Sequence, residues 1–154
     1  LYNRETIESQ IDNEITLSEA RKSEMAVLFI DVDDFKHYND QYSHATGDQV
    51  LKFVARTIKG TVNEFGFAGR YGGDEFIACI RNAEINDPTR AAQDIISKLE
   101  EGFECDGVHL TVSVSIGISM IKDDYNTRVE YIIGKADDAM YSVKKNGKSN
   151  YAFI

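Results

Sequence analysis

Hydrophobic residues along this chain recur with two different periods. Val129, Ile132, Ile133, Ala136, Ala139, Met140 and Val143 return every three or four residues, which predicts a helix over 129–145, ended by Asn146-Gly147. Ala91, Ala92, Ile95, Ile96, Leu99 and Phe103 keep the same rhythm after Asp87-Pro88, with Asp87 as N-cap and Pro88 opening the first turn. Val50, Leu51, Val54, Ala55 and Ile58 mark a further helix, and Ile7, Ile11 and Ile15 an opening helix after Asn3. The other period is two. Leu110, Val112, Val114, Ile116, Ile118 and Met120 alternate with Thr111, Ser113, Ser115, Gly117 and Ser119, predicting a strand with one face in the core. Asp106-Gly107 just before it reads as a two-residue hairpin turn from a short preceding strand.

The run Met25–Ile30 has no alternation and suits a central strand covered on both faces. Phe67–Tyr71 and Phe76–Arg81 flank Gly72-Gly73-Asp74-Glu75, a hairpin with a Gly-rich, acidic tip. The resulting order, α β α α β β α β β α β, mixes hairpins with crossovers. It predicts an α/β (α+β) sandwich around a central, mainly antiparallel sheet wrapped by helices, not a doubly wound parallel one.

Composition narrows the functions. At 154 residues the chain is expected to form one domain, 1–154, with a core large enough to need neither disulfides nor a structural metal. Its formal charge of −9 excludes a general nucleic-acid binder or a contact with anionic membrane, yet leaves room for a local basic cluster holding a small polyanion. Cys79 and Cys105 are too few for a disulfide scaffold and read as reduced thiols. Met25–Ile30 is far too short to span a bilayer and no signal peptide is visible, so a soluble, cytoplasmic domain is expected. The chain opens on Leu1 and reads as a piece from the C-terminal part of a longer protein.

Two acidic clusters fall at predicted strand ends: Asp31, Asp33 and Asp34 after the central strand, and Asp74 and Glu75 at the hairpin tip. Each alone reads as a solvated turn, since turns favour Asp and Glu. If their strands are neighbours, a divalent cation would relieve their repulsion, and oxygen ligands suit Mg²⁺ or Mn²⁺. Gly72 and Gly73 imply either positive φ in a tight turn or a flat or phosphorylated group lying close. Only phosphate together with metal accounts for these glycines and the acids that follow. Lys144 and Lys148 at the end of the last helix are candidate phosphate cations or complements to the helix dipole, and Lys145 beside them reads as the latter. Lys36, one turn past the first acidic cluster, is likewise a candidate or a surface residue.

Arg70-Tyr71-Gly72-Gly73-Asp74-Glu75-Phe76 resembles the signature of the GGDEF family, the bacterial diguanylate cyclases. Other parts of that pattern occur in order: Leu1-Tyr2-Asn3-Arg4, Phe29 through Lys36, Asn39-Asp40, His44 with Gly47-Asp48, Thr111 through Gly117, and Ala136 through Tyr141 with Lys144 and Gly147-Lys148. The resemblance implies a ferredoxin-like core akin to the palm of nucleotide cyclases and polymerases, condensing two GTP into cyclic di-GMP. It implies Asp31 and Asp74 as metal ligands with help from the Val32 carbonyl. Glu75 would also face the metal and assist deprotonation of the attacking 3′-hydroxyl. Asn39 and Asp48 would bond the guanine edge, Lys144 and Lys148 would hold the terminal phosphates, and Phe35 and Lys36 would lie along the phosphate path. Gly72 and Gly73 would let the nucleotide approach. Turnover would need a homodimer, brought together by an upstream sensory domain.

The chain departs from the family pattern at several positions. Asn63-Glu64-Phe65-Gly66 stands where many members carry an Arg-x-x-Asp product-inhibition motif, so feedback through that site is not expected. Ser43 replaces the usual Gly, Asp34 a common His, and Lys148 a frequent Arg; the last keeps the charge but loses the bidentate fork. The alternatives to an active cyclase are a GTP-binding regulatory domain without turnover and a pure interaction module. The first is disfavoured by the intact Asp31, Asp74, Glu75 and Asn39, and the second leaves the ordered motifs unexplained.

Overall fold

The computed structural model describes residues 1–154. The Asn3 side chain accepts the Thr6 amide at 2.9 Å and starts α1 (Arg4–Arg21). The unbroken apolar run forms β1 (Met25–Val32), followed by a short α2 (Phe35–Gln41). Ser43, one of the departures, caps α3 (His44–Val62) by accepting the Thr46 amide at 3.1 Å. The hairpin is β2 (Gly66–Arg70) and β3 (Glu75–Arg81), so Glu75 belongs to a strand rather than to the tip. Asp87 caps α4 (Pro88–Glu101), with Pro88 in its first turn. Then come β4 (Phe103–Cys105), β5 (Val108–Leu110), β6 (Val114–Ile121), α5 (Val129–Lys145) and β7 (Tyr151–Phe153).

Three sequence expectations change. Phe103 is not on the α4 stripe, because Gly102 at φ +82° ends the helix and sends the chain into β4. The alternating run 110–120 is two strands. Asp106 and Gly107 take φ of +50° and +79° and close a β4–β5 hairpin that stands apart from the main sheet. The chain then breaks at Thr111–Ser113, where backbone groups bond outside the ladder: the Val112 amide to the Leu99 carbonyl (2.9 Å) and the Asp33 amide to the Ser113 carbonyl (2.8 Å). Finally, β6 is buried on both faces rather than one. Its small residues Ser115, Gly117 and Ser119 lie under α5, and at Gly117 a Cβ would collide with the Ala136 carbonyl. Alternation there separates large from small, not inside from outside.

The main sheet has the order β2-β3-β1-β6-β7, antiparallel throughout except for the β6–β7 pair. Ala26, Leu28 and Ile30 of β1 pack with Val50, Val54 and Ile58 of α3 and Ile95 and Leu99 of α4. Met25, Val27 and Phe29 point the other way, against Ile7 and Ile11 of α1 and Ile133 and Met140 of α5. This is the helix-wrapped, mainly antiparallel α+β fold that the sequence predicts. No helix is long and apolar enough to cross a membrane.

Candidate active site

β1 and β3 run side by side, with Asp31 opposite Glu75 on one flank and opposite Ser115 of β6 on the other. The two acidic clusters are thus neighbours, and the Val32 amide donates to the Asp74 carbonyl at 3.1 Å. Residues 27, 29 and 31 of a strand share a face, so Asp31 points toward α1 and α5. Its Oδ1 is fully enclosed and has no hydrogen-bond partner. Burial pushes the Asp31 carboxyl up to about 7; the Lys144 charge opposes this, while the neighbouring Asp74 and Glu75 carboxylates add to it. Glu75 is raised as well, first by burial and then by Asp137 and Asp74.

The three aspartates after β1 have different environments. Asp33 is only 4% exposed and accepts from Ser113 Oγ (2.5 Å), Ser115 Oγ (2.6 Å) and the Ser149 amide (3.1 Å), with Lys144 Nζ at 3.0 Å. Burial alone would raise its pKa, but these donors outweigh burial and hold it below the ordinary value. Asp34 takes φ +53°, turns into solvent and pairs with Lys148 Nζ at 2.8 Å. The first cluster is therefore not a set of three equivalent ligands. Asp33 is satisfied by its own donors, and Asp31 alone keeps an unused buried oxygen.

Lys144 reaches down from the last turn of α5, and its Nζ donates to the Val32 carbonyl at 3.1 Å while standing 3.6 Å from Asp31 Oδ2. Next to this corner lies a groove of about 390 Å³. It is lined by Phe35, Lys36 and Asn39 of α2, Asp48 of α3, and Gly73 and Asp74 of the hairpin. Neither Gly72 nor Gly73 has positive φ, which removes one of the two readings of the glycine pair. The Glu75 carboxylate folds back against the Gly72 Cα where a Cβ would stand, while the space beside Gly73 is open. The structure thus favours close approach at the hairpin over a strained turn.

Two features escaped the sequence reading. Arg70 bonds the hairpin from below, its Nε 3.2 Å from both the Gly72 and Gly73 carbonyls and its Nη2 2.6 Å from the Gly73 carbonyl, and it also lines the groove. A charged residue two positions before a glycine pair was the available signal. Arg4 of α1 stacks over the Tyr71 ring at 4.1 Å, and Tyr71 Oη donates to Glu8 at 2.9 Å, fixing the hairpin to α1.

No three acids, histidines or cysteines already converge as a ready metal cluster. The corner nevertheless offers only oxygen donors: the Asp31, Asp74 and Glu75 carboxylates and the Val32 carbonyl. The orphaned Asp31 Oδ1 and the raised, buried Asp31 and Glu75 carboxyls fit a hard divalent cation such as Mg²⁺ or Mn²⁺.

Comparison with known proteins agrees with this arrangement. The family described as "Diguanylate cyclase, GGDEF domain" matches residues 1–150. Diguanylate cyclase A of Treponema denticola is 38% identical over 136 residues, which cover 88% of this chain and 36% of that protein. The chain thus spans well under half the length of the curated relatives it matches. The crystal structure of the GGDEF domain of PA1120 (YfiN or TpbB) from Pseudomonas aeruginosa superposes with a TM-score of 0.92 at 31% identity, covering 100% of this chain and 96% of that one. The active GGEEF domain of a diguanylate cyclase from Vibrio cholerae gives 0.88 at 27% identity, covering 99% and 97%.

Proposed function

Because this chain belongs to the GGDEF family of diguanylate cyclases, we propose that it condenses two GTP into cyclic di-GMP and two pyrophosphates. The observation that carries the reading is the junction of a high-pKa carboxylate corner with a nucleotide-sized groove that shares Asp74 with it. Asn39 and Asp48 bond the guanine edge, a carboxylate at 48 suiting the N–H donors of guanine, and Phe35 and Lys36 lie along the phosphates. Gly73 lets the nucleotide lie against the hairpin, and Gly72 gives the Glu75 carboxylate its place. Lys144 and Lys148 supply positive charge to the terminal phosphates.

Asp31, Asp74, Glu75 and the Val32 carbonyl would hold Mg²⁺ or Mn²⁺. A bound divalent cation makes the 3′-hydroxyl more acidic and screens the charge on the leaving pyrophosphate. In each half-reaction a 3′-oxygen bonds to the α-phosphorus of the other GTP, the bond to pyrophosphate breaks, and Glu75 takes the hydroxyl proton, a role its raised pKa supports. One groove holds one GTP, so the full reaction takes two protomers face to face, with an upstream sensory domain controlling their encounter. We assign the activity to the cytoplasm, where GTP is available.

The test is incubation with GTP and Mg²⁺ at increasing protein concentration, followed by nucleotide chromatography. Wild-type protein is expected to form cyclic di-GMP with specific activity rising with concentration, and Asp74→Ala to form none. GTP binding without any product at any concentration overturns the proposal.

A further inference from the structure

Lys144 is assigned above to the terminal phosphates, yet its ammonium is engaged inside the protein. It donates to the Val32 carbonyl at 3.1 Å, pairs with Asp33 Oδ1 at 3.0 Å and stands 3.6 Å from Asp31 Oδ2. The carbonyl and one of the carboxylates are proposed cation ligands. Asp31 Oδ1, in the same corner, is one of just two enclosed side-chain polar atoms without a partner. The corner is therefore partly neutralised by a cation of the chain itself, but not completely satisfied by it.

We propose that Lys144 is a tethered placeholder for the divalent cation. In the nucleotide-free protein it holds the Val32 carbonyl, and a cation entering beside Asp31 displaces it toward the phosphates. The inference rests on the reading of Asp31 and Val32 as cation ligands and adds a second station for Lys144.

Asp33 makes the exchange possible. Ser115 occupies its Oδ1, and Ser113 and the Ser149 amide occupy its Oδ2, so the carboxylate stays in place whether or not Lys144 remains. Those bonds join the ends of β1, β6 and the turn after α5, which gives Lys144 a fixed pivot. A lysine suits the task because its charge is a compact ammonium on a flexible stem, able to leave without moving the helix that carries it. Its side chain is 19% exposed, so a path outward is open.

One consequence is coupling. A divalent cation arriving alone must displace Lys144 with no new partner for the ammonium, whereas with a triphosphate present the displaced lysine meets an anion. Cation and nucleotide then strengthen each other's binding by the same factor. If Lys144 holds its first station about nine-tenths of the time, cation affinity without nucleotide falls about tenfold.

The test uses Mg²⁺ or Mn²⁺ alone, without nucleotide. Amine-reactive labelling of the wild type, read by mass spectrometry at Lys144, is expected to increase about tenfold at saturating Mg²⁺, and Asp31→Asn to abolish that increase. Lys144→Met is expected to bind Mn²⁺ about tenfold more tightly than wild type in calorimetry. Lys144→Gln serves if the Met variant does not fold, and the labelling requires neither. Mn²⁺ binding that depends on Asp31, with Lys144 labelling unchanged by Mg²⁺, overturns the placeholder and leaves the cation site standing. Absence of any Asp31-dependent binding in both wild type and Lys144→Met overturns the cation site and the placeholder with it.

Discussion

Lys148 Nζ lies 2.8 Å from Asp34 Oδ1, and both residues stand where this chain departs from the family pattern. The two departures meet each other. Asp34 raises the Lys148 pKa through this hydrogen bond while competing for the charge proposed to face the phosphates. Asp34→Asn keeps a residue tolerant of the left-handed backbone and removes only the negative charge. It is expected to lower the GTP KM about threefold, most clearly at low salt where exposed charges are least screened, with no change in melting temperature. Steady-state kinetics and thermal unfolding at two ionic strengths check this; an unchanged or higher KM counts against the competition.

Gly47 has a comparable role for the base. A Cβ at this position on α3 would collide with Asn39 Oδ1 and crowd Phe35, two residues lining the groove. Alanine is the better helix former by roughly 0.5–1 kcal/mol, so Gly47→Ala should not lower stability appreciably if the Asn39 side chain yields. The displaced amide then no longer meets the guanine. The variant is expected to keep its melting temperature and bind a GTP analogue about tenfold more weakly, the scale of one lost hydrogen bond. Equal affinity in calorimetry removes Asn39 from base recognition.

Product feedback through the usual family site is not expected. Asn63 and Gly66 line a cleft of about 440 Å³ where the Arg-x-x-Asp charges would stand. Arg81, also on this cleft, is held by Glu14 at 2.7 Å and stacks on Phe67 at 5.2 Å, which leaves Lys59 as the unpaired cation there. Cyclic di-GMP at concentrations that saturate an Arg-x-x-Asp enzyme is expected to leave the initial rate within about twofold, since one exposed lysine contributes little to holding a phosphodiester. Tight binding that disappears in Asn63→Ala contradicts this.

Long periods were legible in the sequence because each is fixed by a single buried face. Asp87-Pro88 and Asn146-Gly147 bounded α4 and α5 correctly because caps and breakers act locally. The break between β5 and β6 was not legible, since Thr111–Ser113 keep perfect alternation and the interruption comes from bonds to Leu99 and Asp33, remote in the chain. The site behaved similarly. Asp31, Asp74 and Glu75 could be brought together once their strands were neighbours. The difference between Asp31 and Asp33 depends on Ser113, Ser115 and Ser149, which sequence alone assigns to a solvent face or a tail.

That difference has a sign that can be measured. Asp31 titrates at about 7 in the folded protein against an ordinary 3.8, so between these values the folded state holds a proton that the unfolded state has lost. Its contribution to stability is complete below the ordinary value and disappears as pH rises through about 7. Asp33 acts in the opposite sense: its lowered pKa stabilises above the ordinary carboxylate range and is lost only as pH falls below it. Glu75 and Asp137 are raised and add to the Asp31 trend. With chelator present, the urea midpoint of the wild type is expected to fall between about pH 5.5 and about pH 8, and Asp31→Asn to flatten most of that slope. Mg²⁺ binds the ionised carboxylate, so its stabilising effect should grow across the same window and offset the loss. A metal-free midpoint that rises or stays level over this range, or an Asp31→Asn slope equal to that of the wild type, would show that Asp31 is ionised in the folded protein and that the corner is not poised for a cation in the way described.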